Sequence, residues 1–393
     1  YTDDKIHDAQ TTTGPLTIFL VNRDDRRYLW KPFSQDVSVY QIERNLYKNQ
    51  IGNKLVFEEI NHDLGLVFSY SWSTGNRFGF IKQSTLQNTG NSDIEIAVLD
   101  GLRNLLPAGV TRRLQSEFST LVDAYKQAEA LPGQIAALYS MSSILTDLAE
   151  PSEALNATAV WSIGLEDPKL LLSEDQVESF CGGLQVSTES IKKGKRSAFL
   201  LQAGFLVPAK GQNSWSIQAD VDQASAQVAR LINTIDQGIS AHDIEQDIEA
   251  GSLKLLQLVG SADGSQCSSD TLTNSRHFSN TLFNIMRGGT FYDEYSFPID
   301  DFLQFVGVWN RPLQKKYHDL LESKGKTQTL DSMLDIAENS GDVDMQRLVL
   351  EYLPLTFSRR HGDPSRPWNA FCLLYTSPSP RDLIAHLGCR LLL

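Results

Sequence analysis

The sequence is poor in cysteine, and its cysteines do not form the pattern of a metal site or a disulfide framework. Four occur in 393 residues, at Cys181, Cys267, Cys372 and Cys389. None belongs to a C-x-x-C pair, and apart from His386, three residues before Cys389 near the C-terminus, no histidine lies close to them. We therefore predict reduced thiols, no bound metal and no cofactor.

Positive charge is also scarce. Lys and Arg number 35 against 48 Asp and Glu, which gives a formal net charge of −13 and a pI near 5.0. Nucleic acids and anionic membranes bind clustered basic side chains, so this balance argues against both as partners. The longest basic run, residues 192–196, lies between two apolar stretches, and we interpret it as a hairpin turn.

Long hydrophobic runs are missing too. No apolar run approaches the roughly 20 residues that a membrane helix requires. No signal peptide is visible, but the chain opens at Tyr1 instead of methionine, so we expect that its natural N-terminus is missing. These features favour a cytoplasmic location as the prediction.

Common motifs of nucleotide-binding and hydrolytic sites do not occur. Gly325-Lys326-Thr327 lacks the glycine five positions earlier that a phosphate-binding loop needs, because Leu320 stands there. No G-x-S-x-G turn and no H-E-x-x-H pair is present.

The sequence does contain enough apolar residues to form a sizeable core. Its 41% hydrophobic and 21% charged residues are typical of a globular protein, and its length fits two or three domains. Up to Val221, short strand-like segments recur at about 8–12-residue spacing, which predicts an antiparallel β-sandwich. The predicted strands are residues 16–21, 37–40, 55–57, 66–72, 78–86, 94–100, 136–141, 157–163, 197–207 and 214–221, the last two as a hairpin.

One helical insertion interrupts these strands. In residues 111–130, Leu114, Phe118, Leu121 and Tyr125 recur at spacings of three and four, which predicts an amphipathic helix. Proline and glycine on both sides are typical of helix ends.

After Asp222, helical patterns replace the strands. The predicted helices are residues 224–235, 244–258, 275–286, 299–308, 312–321, 330–337 and 343–353, and residues 260–269 are the best linker candidate. We therefore predict a β-sandwich at 1–260, and a helical linker with the start of a further helical domain at 261–371.

The segment from Phe357 to Asn369 carries the densest set of side chains that bind ligands. Two prolines and a glycine keep it out of a helix and stiffen its backbone. Such a loop can donate hydrogen bonds to hydroxyls or to an anion and can stack an aromatic ring on a sugar. An interdomain loop with paired arginines and a space-filling tryptophan explains the same residues equally well. The candidate substrate-binding residues are Arg359, Arg360, His361, Asp363, Arg366, Trp368 and Asn369.

This segment and several other stretches of the sequence resemble a family of large bacterial carbohydrate-active proteins of the cellobiose-phosphorylase and cyclic-glucan-synthase type. They are S-T-L-Q-N-T at residues 84–89, L-D-G-L-R-N-L-L-P-A-G at 99–109, segments 143–147 and 150–155, and R-R-H-G-D-P-S-R-P-W-N at 359–369. The last of these is the most specific, and the resemblance is scattered over most of the chain.

The resemblance implies a super-sandwich like that of galactose mutarotase, a helical linker and then an (α/α)6 catalytic barrel. In such enzymes a carboxylic acid protonates the glycosidic oxygen while inorganic phosphate or water attacks the sugar. The substrate implied is an oligo- or polysaccharide, with phosphate as co-substrate in the phosphorylases. Since most of that barrel would follow Asn369, we expect a truncated fragment whose catalytic carboxylates lie beyond it, and we do not assign Asp363 as the acid.

The C-terminal residues 372–393 fit none of this. Residues 372–382, C-L-L-Y-T-S-P-S-P-R-D, resemble the conceptual translation of a DNA sequencing adapter. We interpret 372–393 as a non-native tail, the alternative being a natural Ser/Pro linker.

The function predicted from the sequence is that of a fragment of a glycoside phosphorylase or hydrolase. The alternative is a non-catalytic carbohydrate-binding or architectural module. Sugar identity, linkage, oligomeric state and the choice between phosphorolysis and hydrolysis stay open at this point.

Overall fold

The computed structural model describes residues 12–23, 26–35, 38–111, 114, 119–143, 154–263, 269–286 and 296–358. The chain divides into two compact units. The first comprises Tyr1–Lys48 with Asn53–Ser252, and the second comprises Asn49–Gly52 with Leu253–Leu393.

The first unit contains two antiparallel sheets. The five-stranded sheet has the order β11 (Lys169–Leu171), β13 (Ser197–Val207), β7 (Ile94–Leu105), β1 (Gly14–Arg23) and β2 (Arg26–Trp30). The nine-stranded sheet has the order β12 (Ile191–Lys193), β8 (Lys126–Ala130), β9 (Ala136–Met141), β10 (Asn156–Ile163), β14 (Gln212–Ala224), β6 (Phe80–Asn88), β5 (Leu66–Thr74), β4 (Leu55–Asn61) and β3 (Ile42–Lys48).

The core of this unit lies between the two sheets. Side chains alternate along each strand, so every second residue points inward. Phe19 and Val98 of the five-stranded sheet pack with Phe68, Leu86 and Trp215 of the nine-stranded sheet. The coarse prediction of a β-sandwich followed along the chain by helices is therefore confirmed, whereas the mutarotase likeness and the (α/α)6 barrel stay predictions.

A buried polar network crosses this apolar core and centres on the Asp100 carboxylate. Lys82 Nζ donates to both carboxylate oxygens at 2.7 and 2.8 Å, and Trp215 Nε1 donates at 2.7 Å. The hydroxyls of Thr17 and Ser84 donate at 2.6 and 3.2 Å. Lys82 and Asp100 are both 0% exposed. The network joins the sheets, because Asp100 and Thr17 lie in one and the other three residues lie in the other.

Burial shifts the pKa values of two side chains at this network, Lys82 and the neighbouring Tyr70. Burial lowers the pKa of the Lys82 ammonium, and the Asp100 charge opposes that change. Burial, with a smaller effect of Asp100, raises the pKa of Tyr70 to about 12. The Tyr70 ring lies 5.2 Å from Lys82 Nζ, where its π-face also favours the cation.

Helices cover the outer faces of both sheets. Short helix α2 (Val177–Cys181) packs Phe180 against the outer face of the five-stranded sheet. On the nine-stranded sheet, α3 (Ser225–Asp236) and α4 (Ala241–Asp263) cover Phe78, Ile81 and Trp161.

The described part of the second unit consists mainly of helices. Its own core is formed by α6 (Ile299–Trp309), α7 (Arg311–Ser323), α8 (Leu330–Ser340) and α9 (Val343–Ser358), with the short pair β15 (Ser296–Pro298) and β16 (Thr327–Thr329). The preceding helix is α5 (Thr271–Met286).

Capping residues set the ends of these helices. The Asn310 and Thr329 side chains accept from the backbone N–H three residues on. Gly341 ends α8 in the left-handed conformation that glycine adopts without strain.

The prediction of a helix over residues 111–130 is wrong for the last five of these residues. In the described part, α1 covers only Ser119–Tyr125, and Lys126–Ala130 forms β8, paired with β9. The buried Lys126 ammonium lies 2.8 Å from Asp123 at the helix end. Because residues 126–130 pair with β9, their backbone groups form hydrogen bonds to that strand instead of the hydrogen bonds within a helix.

The hairpin predicted from residues 197–207 and 214–221 is also wrong. β13 belongs to the five-stranded sheet and β14 to the nine-stranded sheet, so the chain between them crosses the sandwich. Phe199 and Ile217 enter the same core cluster from opposite sheets. Both strands are apolar enough to be buried, and local pattern does not reveal which partner each takes.

Two shorter predictions fail for similar reasons. Residues 38–40, part of a predicted strand, are bends, and Gln41 N–H donates to the Asp63 side chain at 2.7 Å instead of to a strand. The linker predicted at 260–269 is helical as far as Asp263, and residues 264–268 lie outside the described part.

The basic run at 192–196 is not a hairpin turn. It leaves β12, which pairs with β8 in the nine-stranded sheet, and leads into β13 of the other sheet. Lys192 Nζ and Lys195 Nζ donate to Asp175 at 2.9 and 2.7 Å. Hydrogen bonds from Lys195 first, and then Lys192, lower the pKa of Asp175 to about 2.

We expect replacement of Asp100 by Asn to destabilise the first unit by about 3–5 kcal/mol, because it leaves the Lys82 ammonium buried without a counter-charge. The milder Thr17→Val removes one hydrogen bond and costs about 1 kcal/mol. The control is Glu95→Gln, on the exposed face of the same strand. Urea unfolding compares the four proteins, and equal stability of Asp100→Asn and Glu95→Gln would contradict the expectation.

The Asp175 bridges predict a small dependence of stability on acid. Because the folded pKa is depressed from 3.8 to about 2, their contribution is complete above 3.8 and is lost as the pH falls to about 2. The side chain is 45% exposed, so that contribution is below about 1 kcal/mol. Unfolding free energies of Asp175→Asn and wild type should converge over this range, with Lys195→Ala behaving similarly. A constant difference across it would refute the assignment.

Candidate functional site

The loop predicted to bind substrate cannot be placed in the fold. All seven of its candidate residues lie outside the described residues, which end at Ser358: Arg359, Arg360, His361, Asp363, Arg366, Trp368 and Asn369. Their role in binding stays a prediction.

The site that the structure does reveal is a cavity in the first unit, which we call the sheet-face cavity. Its volume is about 570 Å³, within the range typical of small-molecule sites. The floor is the outer face of β5, β6 and β14, away from the sandwich core. Its floor side chains are Ser69, Ser71, Gln83, Thr85, Ser214 and Ser216.

Strand register arranges these six side chains in two parallel rows. Ser69, Thr85 and Ser214 lie opposite one another on the three strands and form one row. The second row consists of Ser71, Gln83 and Ser216. Since neighbouring strands are about 4.8 Å apart, the rows place hydroxyl and amide groups at regular short intervals.

Hydrogen bonds orient the floor. Thr85 Oγ1 and Ser214 Oγ are 2.9 Å apart, and Ser71 Oγ donates to Gln83 Oε1 at 3.5 Å. Gln83 Nε2 donates to Glu245 of helix α4 at 3.1 Å. The Gln83 amide is therefore held with its oxygen toward β5.

The sequence contains a signal for this floor that our sequence-based prediction missed. In S-Y-S-W-S at 69–73 and S-W-S at 214–216, serines alternate with aromatic residues. The strand period of two sends Tyr70 and Trp215 toward the core and the serines to the outer face. Which strands lie side by side, and so which serines meet, depends on the sheet order.

Helix α4 and the segment before it form a wall of the cavity. Ile239, Ala241 and Ile244 line it. The helix is held by Asp247, which accepts hydrogen bonds from the backbone N–H groups of Arg77 and Phe78 at 2.9 and 3.1 Å.

Glycines let the backbone approach closely around this wall. A Cβ on Gly75 would lie 1.9 Å from Asp247 Oδ2, and one on Gly251 would lie 2.7 Å from the Thr74 carbonyl oxygen. The helix therefore needs both glycines to dock on the β5–β6 connection.

The chemistry available in the sheet-face cavity is hydrogen bonding. Lys54 is the one ionisable side chain among the described residues that line it, and no carboxylate is among them. In the described part of the chain, no three His, Cys, Asp or Glu side chains are grouped as metal ligands. The cavity can hold a polar, uncharged molecule, but its described lining has no pair of carboxylates for glycosidic acid–base chemistry.

Within the described residues, the helices are too short or too polar for any of them to cross a bilayer.

Residues 291–354 match the family model of glycoside hydrolase family 149 insertion domain 1. This match relates residues 291–354 to a domain of carbohydrate-active proteins, the broad class that the sequence resemblance implied. No curated protein matches the chain.

Among solved structures, the chain is similar to a protein assigned as a kojibiose phosphorylase from the human microbiome, with TM-score 0.40 and 11% identity over 68% of this chain and 30% of that one. A bacterial glucoamylase complexed with acarbose is similar with TM-score 0.39 and 8% identity, over 69% of this chain and 36% of that one. A family GH92 α-mannosidase from Bacteroides thetaiotaomicron is similar with TM-score 0.31 and 8% identity, over 62% of this chain and 28% of that one. The chain thus spans about a third of these proteins, and scores below 0.5 do not establish a common fold.

We expect Asp247→Ala to weaken the docking of α4 by about 1–3 kcal/mol, because it leaves two backbone N–H groups without their acceptor. Glu249→Ala, two residues along on the exposed side of the helix, is the matched control. Amide hydrogen exchange of Ile244 and Ile248 should accelerate in Asp247→Ala alone. Equal exchange in both variants would show that Asp247 does not hold the helix.

Proposed function

We propose that this chain is part of a carbohydrate-active enzyme that acts on glycosidic bonds, a glycoside phosphorylase or hydrolase. The observation that carries the proposal is the match of residues 291–354 to the insertion domain of glycoside hydrolase family 149. The run R-R-H-G-D-P-S-R-P-W-N at 359–369, with its resemblance to the cellobiose-phosphorylase type, supports the same class.

In this proposal, the loop at 359–369 contributes to the substrate cleft. The guanidinium groups of Arg359, Arg360 and Arg366 suit an anion such as phosphate or the hydroxyls of a sugar. The indole of Trp368 suits the apolar face of a sugar ring. These roles rest on the sequence, since the loop lies outside the described residues.

The reaction proposed is cleavage with a carboxylic acid as proton donor and phosphate or water as nucleophile. We assign that acid to the helical barrel that the resemblance implies, and to no residue of the described part.

A non-catalytic carbohydrate-binding module is the second candidate. The observation that favours it is the lining of the sheet-face cavity, where the described residues supply hydroxyls, an amide and the Lys54 ammonium but no carboxylate.

The two candidates differ in turnover. The longer gene product is incubated with uncharged oligosaccharides, with and without inorganic phosphate. If it is an enzyme, we expect it to shorten the oligosaccharides. A sugar 1-phosphate formed only with phosphate identifies a phosphorylase, and free sugar formed without it identifies a hydrolase. Binding without any cleavage would support the module, and neither binding nor cleavage would refute both.

The loop is tested in the same longer protein. We expect Arg366→Ala and Trp368→Ala to raise KM about tenfold, since each removes a contact worth roughly 1–2 kcal/mol to bound substrate. Arg347→Ala is the control, because that arginine is 54% exposed and 4.0 Å from its carboxylate partner. Unchanged kinetics in both loop variants, with intact folding, would remove the loop from the site.

A further inference from the structure

We propose that the sheet-face cavity is a holding site for an uncharged sugar unit, separate from the groups that cleave the glycosidic bond. The proposal rests on the proposed function for the class of ligand. Its location and its contacts come from the described residues of the first unit alone.

The two rows of the floor match the hydrogen-bonding needs of a polyol. A sugar hydroxyl both donates and accepts, and serine, threonine and glutamine side chains do the same. A floor of hydroxyls and one amide can therefore satisfy several neighbouring sugar hydroxyls at once. An anion would find one positively charged side chain, Lys54, among the described residues of the lining.

Existing hydrogen bonds leave groups in the rows ready for a ligand. Ser216 Oγ accepts from Gln218 Nε2 at 2.6 Å, so its own proton is directed elsewhere. Thr85 and Ser214 share one hydrogen bond, which leaves the proton of one hydroxyl for a further acceptor. Among the described residues, Gln83 Oε1 accepts only the long 3.5 Å contact from Ser71 and retains a lone pair.

A buried glutamine, Gln218, follows Ser216 on the same face of β14 and supports the end of the second row. Gln218 is 0% exposed, and its Oε1 has no hydrogen-bond partner within the described residues. Ser216 and Ser71 in the neighbouring row are only 6% and 7% exposed. Gln218 does not itself line the cavity. Its contribution is to hold Ser216 in place through the hydrogen bond from its Nε2 to Ser216 Oγ.

The walls supply the apolar side that a sugar ring also needs. Val56, Ile163 and Ile244 face the cavity with aliphatic surface that can contact ring C–H groups. The indole of Trp215 does not face the cavity, because its Nε1 donates to Asp100 in the core. The contact predicted is therefore aliphatic and not aromatic stacking.

Rigidity of the floor favours binding. Ser84 of β6 and Trp215 of β14 lie in two of the three floor strands, and both donate to the Asp100 carboxylate. Side chains that are already positioned lose little conformational freedom when the ligand binds.

The test uses the whole chain and a panel of uncharged oligosaccharides of different linkages, with binding measured by calorimetry. Gln83→Leu keeps the size of the side chain and removes its hydrogen bonds. Gln87→Leu is the matched control, because Gln87 lies four residues along the same strand, is exposed and does not line the cavity. Unfolding midpoints of both variants verify the fold, and Ser216→Ala provides a second, smaller change.

We expect wild type and Gln87→Leu to bind an oligosaccharide equally, and Gln83→Leu to bind it at least about tenfold more weakly, which corresponds to about 1.4 kcal/mol. Ser216→Ala should weaken it by a smaller factor. Binding should also slow amide exchange in β14.

Three results would overturn the inference: equal affinity of Gln83→Leu and Gln87→Leu, tighter binding of acidic than of uncharged oligosaccharides, or no binding by wild type. None of these touches the proposed function, which is decided by cleavage in the longer protein. Conversely, cavity binding that depends on Gln83 would stand even if no cleavage is found.

Discussion

The Asp100 carboxylate is the constraint on which the first unit depends. It accepts hydrogen bonds from Lys82, Thr17, Ser84 and Trp215, and so it links strands of both sheets through the apolar core. A charge placed there without these donors would be strongly unfavourable. The network therefore restricts how the sheets can pair, since sliding one strand by one residue would leave the carboxylate or the ammonium without its partner.

The sheet-face cavity depends on that constraint indirectly. Trp215 and Ser84 point inward to Asp100, and the strand alternation then sends Ser214, Ser216, Gln83 and Thr85 outward. On the outer side, Asp247 fixes helix α4 against the β5–β6 connection and so completes the wall. The two carboxylates are thus structural: one holds the floor from inside the sandwich and the other holds the wall from outside.

Much of the fold could be predicted from local pattern, and the errors have a common cause. Short β-rich segments between turn residues correctly indicate β5 and β6, and helical patterns correctly indicate the helices from α3 onward. The failures occur where a partner distant in sequence decides: β8 pairs with β9 in place of extending α1, and β13 and β14 separate into different sheets. The predicted loop at 359–369 remains untested by the structure, and the cavity was not predicted at all.

The sequence by itself determined the secondary-structure types, the order of strands before helices, the acidic charge and the relation to carbohydrate-active enzymes. These follow from residue patterns and motifs that are read without knowing any neighbour in space. Only the tertiary structure decided that Asp100 meets Lys82 and that three serine-bearing strands lie side by side. Cross-strand register and sheet order bring together residues up to 115 positions apart in the Asp100–Trp215 pair, and no local pattern carries that information.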